Sequence, residues 1–250
     1  MEVKKREVLF SVIIVFVMLL LGLLISSKIS ESIIQEAERY ATATVVEDEK
    51  QFRYGMDTSF GNALVYGDLV TDSPVTYDEI GGGYIYIEKI KEHYTRHTRT
   101  VTRTDSNGKT HTETEVYYTW DRVWSDCRQA GTVTFCGAEF TSDTFSLPTH
   151  RLSLSEAGVP NKMNYIYQGF DDRFYYNVTY NNISGTVLAS LKDGTMVSES
   201  YLYENMRPTE VIESKQGNET VPLIIFWVVW VLLIGGCVVG FVYLDNRWLD

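Results

Sequence analysis

The sequence predicts a mainly β protein: one β-rich extracytoplasmic domain with a projecting β-hairpin arm, flanked by two transmembrane α-helices. Three observations predict it. Uncharged apolar runs, Val8–Ile25 and Val221–Leu244, stand near the two ends of the 250-residue chain. Seventeen Tyr against five Pro, with many Thr and Val, suit pleated, half-buried strands and argue against disorder. A long aromatic and β-branched stretch, Gly83–Asp105, runs into Asn107-Gly108, a strong signal for a two-residue hairpin.

The first apolar run holds 18 residues, near the lower limit for crossing a hydrocarbon core of ~30 Å. Its basic lead of Lys4, Lys5 and Arg6 also suits a cleaved signal peptide. The length of the run and the absence of a small-x-small site after it favour an uncleaved anchor. The second run has 24 residues, enough to span with some tilt. The basic lead predicts a cytoplasmic N-terminus. Two spans then return residues 245–250 to the cytoplasm and place the middle of the chain outside. The expected division is a cytoplasmic tail over 1–7, a first helix over 8–27 and a helical stalk over 28–40. The β-rich domain follows over 41–204, then a polar tether over 205–220 and the second helix over 221–244. Trp227 and Trp230 fall toward the outer part of that helix. Gly236 and Gly240 form a GxxxG pair, read either as chance or as a close-packing surface for the first span or a second copy.

In the outer domain the expected strands are Asn62–Leu69, the long hairpin, Met163–Gln168, Phe174–Tyr180, and Thr186–Leu191 joined to Thr195–Tyr203 through Asp193-Gly194. A two-residue loop at Asn107-Gly108 sets Thr102 opposite Glu113, Thr100 opposite Glu115, and Arg99 opposite Val116. Both faces of the arm are then polar, so the arm should stand in solvent, with its base, Tyr84–Ile90 and Trp120–Trp124, in the core.

Cys127 and Cys136 share the outer domain and are expected to form a disulfide in an oxidising compartment; Cys237 lies in the second span. Asn177, Asn182 and Asn218 head glycosylation sequons. Lys89, Lys91, Arg96, Arg99, Arg103 and Lys109 make a basic patch. Six cations against Glu88, Glu92 and Asp105 leave residues 88–111 at net +3. The patch reads either as a dock for an anionic surface, such as lipid head groups, cell-wall polymer or an acidic protein, or as charge that keeps strand edges from pairing. The net charge of −11 argues against nucleic acid as a partner. His93 and His97 fall on one strand face about 13 Å apart, too far to ligate one metal. Glu47-Asp48-Glu49 and Asp171-Asp172 lack calcium-ligand spacing. No GxSxG, HExxH or P-loop occurs. No catalytic residue, metal or cofactor is expected. The function expected is that of a non-enzymatic binding or scaffold protein, with an envelope enzyme of unrecognised site as an alternative. Its partners would be the bilayer and either another envelope or lumenal protein or a second copy.

Leu64-Val65-Tyr66-Gly67-Asp68-Leu69, Ser73-Pro74-Val75, Gly83-Tyr84-Ile85-Tyr86, Glu92-His93-Tyr94 and the pair Trp120 and Trp124 resemble the juxtamembrane β-domain of the LUMA family and of MULAN-type ubiquitin ligases. The resemblance covers about residues 60–125, or at its widest 60–205. The order of span, β-domain and span is similar to the ligases. Only six residues follow the second span, leaving no room for a RING finger there, so ligase activity is not implied. The segment from Lys89 to Arg103 is also similar to membrane proteins of Firmicute phages and mobile elements. That resemblance implies a bacterial setting and, as an alternative role, an accessory that alters host susceptibility.

Overall fold

Both apolar runs are helical, and a helix satisfies its backbone groups within the segment, as a span of lipid would require. The computed structural model describes residues 5–105, 108–159, 164–198, 201–216 and 220–248. Lys4, Ser106, Asn107, Met163 and Asn218, each used in the sequence reading, lie outside them. The chain divides into two units, Met1–Ala43 with Pro208–Asp250, and Thr44–Arg207.

In the first unit, α1 (Lys5–Ala41) is one unbroken helix of 37 residues, so the expected stalk continues the span without a break. At 1.5 Å per residue it is about 55 Å long. Its partner in this unit is the C-terminal helix (Thr220–Trp248), which runs antiparallel to it and is apolar and long enough to cross a membrane, as α1 is. The pairing is visible from end to end. Arg6 donates two hydrogen bonds to the Asp245 carboxylate at 2.8 and 2.9 Å. The rings of Phe10 and Phe241 lie 6.1 Å apart, and the Trp230 indole N–H donates to the Met18 carbonyl at 2.9 Å. Trp230 therefore ties the two helices together. Gly22 makes room for it, since a Cβ there would stand 2.5 Å from Trp230 Nε1. Gly236 and Gly240 face open space, with nothing within 4 Å of a built Cβ. The expected tether is in part helical over Pro208–Gln216. Pro208 sits in its first turn, where its missing N–H costs nothing, Val211 is fully buried, and Lys215 pairs with Glu36 at 2.8 Å and lies over the Tyr40 ring.

The second unit holds two sheets. Its first elements are β1 (Thr44–Val46), α2 (Glu49–Thr58) and β2 (Gly61–Val70). α2 stands where the sequence predicts no helix. Asp48, part of the acidic triplet, is its N-cap and accepts from the Gln51 N–H at 2.9 Å. Phe52 and Met56 are buried one turn apart along it. The long hairpin follows as β3 (Tyr84–Thr104) and β4 (Thr110–Gln129), then β5 (Thr132–Phe135), β6 (Ala138–Thr141), β7 (His150–Arg151) and β8 (Ile166–Gln168). β9 (Asp172–Tyr180), β10 (Ile183–Lys192), β11 (Thr195–Ser198) and β12 (Tyr203–Glu204) complete the set, leaving Pro208–Gln216 as α3 and the C-terminal helix as α4.

The seven-stranded sheet runs β11-β10-β2-β5-β6, with β1 parallel to β2 and β12 on β10. Asp193 and Gly194, at φ 53° and 71°, make the two-residue turn expected between β10 and β11. One face buries Phe52, Val65, Leu69, Phe135, Phe145 and Val187 with their neighbours. Gly185 lets β12 approach, because a Cβ there would lie 2.6 Å from the Tyr203 carbonyl oxygen, a backbone atom that cannot rotate away. Gly185→Ala is therefore expected to cost about 1–3 kcal/mol by overpacking, measurable as a fall in the denaturant midpoint of the purified protein; an unchanged midpoint would show that β12 yields freely.

The five-stranded sheet runs β4-β3-β9-β7, with β8 on β9. One of its faces packs Ile87, Tyr176 and Val178 against Tyr77, Ile80, Leu152, Leu154 and Ala157. β9 follows β3 only as far as His93 opposite Asp172. Beyond that point β3 and β4 pair with each other alone, which makes the expected arm, about 35 Å of two-stranded ribbon.

Two expectations about this hairpin need correction. The closing pair is Asp105 with Lys109: Asp105 N–H donates to the Lys109 carbonyl and Gly108 N–H to the Asp105 carbonyl, both at 3.0 Å. The arm is thereby shifted one residue from the expected register, with Thr102 opposite Thr112, Thr100 opposite Thr114 and Arg99 opposite Glu115. A bulge at Val123 restores the expected pairing at the root, where Lys91 faces Trp124. The root of β4 is also not core: Val123 and Trp124 are 55% and 48% exposed, because β4 is the edge strand. The disulfide is a third correction. Cys127 is a free, exposed thiol on β4, and Cys136 is a free, half-buried one at the turn joining β5 and β6 in the other sheet. Leaving β4, the chain crosses from one sheet to the other, which separates the two cysteines.

Candidate aromatic and arginine face of the five-stranded sheet

A one-residue slip moves every side chain of a strand to the other face, and here it sorts the chemistry of the hairpin. Glu92, Tyr94, Arg96, Thr98, Thr100, Thr102 and Thr104 share a face with Arg122, Trp120, Tyr118, Val116, Thr114, Thr112 and Thr110 of β4. Arg173 and Tyr175 of β9, Tyr167 of β8 and Arg151 of β7 stand on the same face by their pairing, and Tyr165, two residues before Tyr167, joins them. This face is aromatic at the root and threonine-lined along the arm. The hydroxyls of Thr98, Thr100, Thr102, Thr104, Thr110, Thr112 and Thr114 have no hydrogen-bond partner among the described residues.

The aromatic rings touch in an unbroken row. Tyr118 stacks on Tyr94 at 5.3 Å, Tyr94 meets Trp120 at 5.1 Å, and Trp120 meets Tyr167 edge-on at 6.0 Å. Tyr167 lies 6.3 Å from Tyr165, which lies 6.0 Å from Tyr175. Arg173 threads the row, 4.2 Å above Trp120 and 3.9 Å above Tyr165, held by Glu92 at 2.6 Å. Arg151 lies 3.3 Å over Tyr175. The face has four arginines against Glu88 and Glu92. Arg122 and Arg173 take the two glutamates, so Arg96 and Arg151 have no carboxylate partner among the described residues. Tyr94, Tyr118 and Tyr167 remain 39%, 51% and 43% exposed, and Phe170 at the tip between β8 and β9 is 98% exposed. That tip abuts the root of the arm, where Tyr94 N–H donates to the Asp171 carbonyl at 2.7 Å.

The opposite face takes up most of the basic patch. Lys89 bonds Glu79 and lies over the Phe174 ring. Lys91 pairs with Asp172 at 2.8 Å, Arg99 with Glu115 at 2.8 Å, and Arg103 with Glu115 and Glu113. Hydrogen bonds from Lys91 and then His93 hold the Asp172 carboxyl below its usual range, and those from Arg99 and Arg103 do the same for Glu115. Burial alone would raise the Glu79 carboxyl, but the Lys89 and Tyr176 hydrogen bonds bring it below the ordinary value. Of the six predicted cations, Arg96 alone lies on the aromatic face, and Lys109 closes the tip. Each histidine faces a different carboxylate: His93 Asp172, His97 Asp121, His111 Glu113 and His150 Glu204, at 2.8, 2.6, 3.0 and 2.5 Å.

Cys136 lines a cleft with Glu47, Glu49, Tyr66, Asp68 and Thr134. Burial, and then the charges of Glu49, Asp48 and Asp68, push its thiol up to about 11, so it is an inert thiol at neutral pH. Asn177 projects from mid-strand in β9, whereas Asn182 sits at the β9–β10 turn with φ 64°.

The aromatic row was not foreseen from the sequence. Its trace is a set of doublets at strand period, Tyr118 and Trp120, Tyr165 and Tyr167, Arg173 and Tyr175. What joins them is the pairing of β3 with β9 and β9 with β8, contacts between distant segments. No protein family, curated protein or solved structure matches the chain.

Proposed function

We propose that the chain is a two-pass membrane protein with both termini in the cytoplasm. Its β-domain is a non-enzymatic binding module on the outer side that engages its target through the aromatic and arginine face and the arm. The observation that carries this reading is the unspent chemistry of that face: partly exposed rings already fixed by Arg173, next to two arginines without a carboxylate among the described residues. Rings held in place before contact lose little conformational freedom on binding, which is the condition under which exposed aromatics give affinity. The opposite face has its charges internally paired and offers less. The outward placement rests on the basic lead before α1 and the positive-inside rule.

The free thiol of Cys127 tests the placement directly. In a variant carrying Cys136→Ser and Cys237→Ser, a membrane-impermeant maleimide added to intact cells should modify Cys127 without detergent. Modification only after permeabilisation would put the domain in the cytoplasm and overturn the reading. A photo-crosslinker at Tyr118 should give adducts in membranes that one at Arg99, on the opposite face, does not; equal or absent adducts from both would remove the face from consideration.

A further inference from the structure

We propose that the ligand of the aromatic and arginine face is a strand of acidic polysaccharide; the proposal rests on the binding role argued above. The face offers three kinds of group in one line: rings at the root, rows of hydroxyls along the arm, and two uncompensated guanidinium groups. Sugar rings have apolar faces that lie on aromatic rings, hydroxyls that exchange hydrogen bonds with hydroxyls, and, in acidic polymers, carboxylates that pair with arginine. Like side chains on one strand face recur about every 7 Å. Thr98, Thr100, Thr102 and Thr104 therefore form one regular row of hydroxyls, and Thr110, Thr112 and Thr114 a second beside it, matched in Thr100–Thr114, Thr102–Thr112 and Thr104–Thr110. A repeating polymer meets a repeating surface.

The other macromolecules fit less well. Protein hot spots favour Trp, Tyr and Arg, as the root does, but under-represent Thr, which makes up most of the arm face. Single-stranded nucleic acid also stacks on aromatics, but it needs a cationic track along its phosphates. Two arginines that lack a carboxylate among the described residues, at separate points of the row on a chain of net charge −11, make no continuous track for a charge on every nucleotide. Each can instead pair with one carboxylate of a polymer whose other contacts are its ring faces and hydroxyls. Charge does favour an anionic glycan over a neutral one, because Arg96 at the foot of the arm and Arg151 on β7 lie at separate points of the row and both lack a carboxylate among the described residues.

The test uses the full chain in phosphatidylcholine nanodiscs, with polygalacturonate and hyaluronate as carboxylated probes and dextran as the neutral one. Binding is read by calorimetry at two ionic strengths. The carboxylated polymers should bind more tightly than dextran, and more weakly at the higher salt. Tyr94→Ala with Tyr118→Ala should weaken binding by roughly tenfold or more, the scale of two lost ring contacts. Arg96→Ala with Arg151→Ala should abolish the preference over dextran and the salt dependence. Arg99→Ala with Arg103→Ala, on the opposite face, should change nothing. Circular dichroism of each variant checks the fold, and Arg96→Ala alone, at an exposed position without an ion-pair partner among the described residues, keeps the test open if a double variant unfolds. Binding of neither carboxylated polymer, equal binding of dextran, or binding indifferent to the tyrosines overturns the proposal. So does tighter binding to phosphatidylserine vesicles than to either polymer. If Tyr118 crosslinks a protein in membranes while both polymers fail, the glycan proposal falls and the binding role survives.

Discussion

Trp120→Ala is expected to destabilise the five-stranded sheet by on the order of 2–4 kcal/mol, the sum of two aromatic pairs and one cation–π contact. Trp120 touches Tyr94 at 5.1 Å and Tyr167 at 6.0 Å and lies under Arg173 at 4.2 Å. Its removal separates the rings of the arm from those of β8 and β9. Arg173 would keep Glu92 and Tyr165, so the loss should concentrate at the root of the arm. Hydrogen exchange should accelerate over 94–104 and 110–122 much more than over β10 or β2, whose contacts do not involve this row. Trp120→Phe, which keeps a ring, should recover at least half of the loss. A midpoint within error of the parent protein, or exchange that rises equally in both sheets, would show that the row is ornament on a sheet held together elsewhere.

The same residue shows what a linear reading of this chain can reach. Tyr118 and Trp120 share a face because strands have period two, and that much follows from their spacing. That they meet Tyr167 and Arg173 depends on β9 lying against β3, a pairing between residues some eighty positions apart that no local pattern encodes. Turns divide in the same way. Asp193-Gly194 makes the two-residue loop that its sequence implies, with both residues at positive φ. At the tip of the arm, Lys109 N–H donates to the Asp105 side chain at 2.9 Å, and Asp105 becomes the closing residue in place of Ser106. Asn-Gly is compatible with either loop length; the flanking aspartate decides. From Thr98 outward the register that results separates the charged side chains from the threonine rows, so a difference of one residue at the tip decides which groups share a face. The two short helices were concealed for another reason. Each is brief and mostly polar, with one fully buried side chain apiece, Phe52 in α2 and Val211 in α3, too few to set up a strong helical period. The caps are the better signal: Asp48 before α2 with Gln51 in its first turn, and Pro208 opening α3.

In the helical unit, Gly22→Leu is expected to part the two long helices. A leucine Cβ would stand 2.5 Å from Trp230 Nε1, 2.8 Å from its Cδ1 and 3.2 Å from the Trp227 ring. The indole is not free to swing aside. Its N–H is bonded to the Met18 carbonyl, and its ring stacks on Phe226 at 5.5 Å and 23°. Between apolar helices in lipid, close packing and interhelical hydrogen bonds supply the association that hydrophobic burial supplies in water. Trp230→Phe, which loses only the hydrogen bond, should therefore cost about 0.6–2 kcal/mol. Gly22→Leu should cost more, about 1–3 kcal/mol of overpacking in addition to the lost bond. Phe10→Cys with Phe241→Cys, at rings now 6.1 Å apart, gives a readout in native membranes through oxidative crosslinking within one chain. Crosslinking should be efficient in the parent background, several-fold lower with Gly22→Leu, and largely restored when Trp230→Ala is added to Gly22→Leu, because the smaller side chain vacates the space that the leucine enters. That rescue identifies the contact as steric and local. Gly236→Leu and Gly240→Leu, where an added Cβ meets nothing within 4 Å among the described residues, should leave the crosslink intact; a drop with either would mean that the GxxxG surface, and not the Gly22 notch, carries the helix pairing.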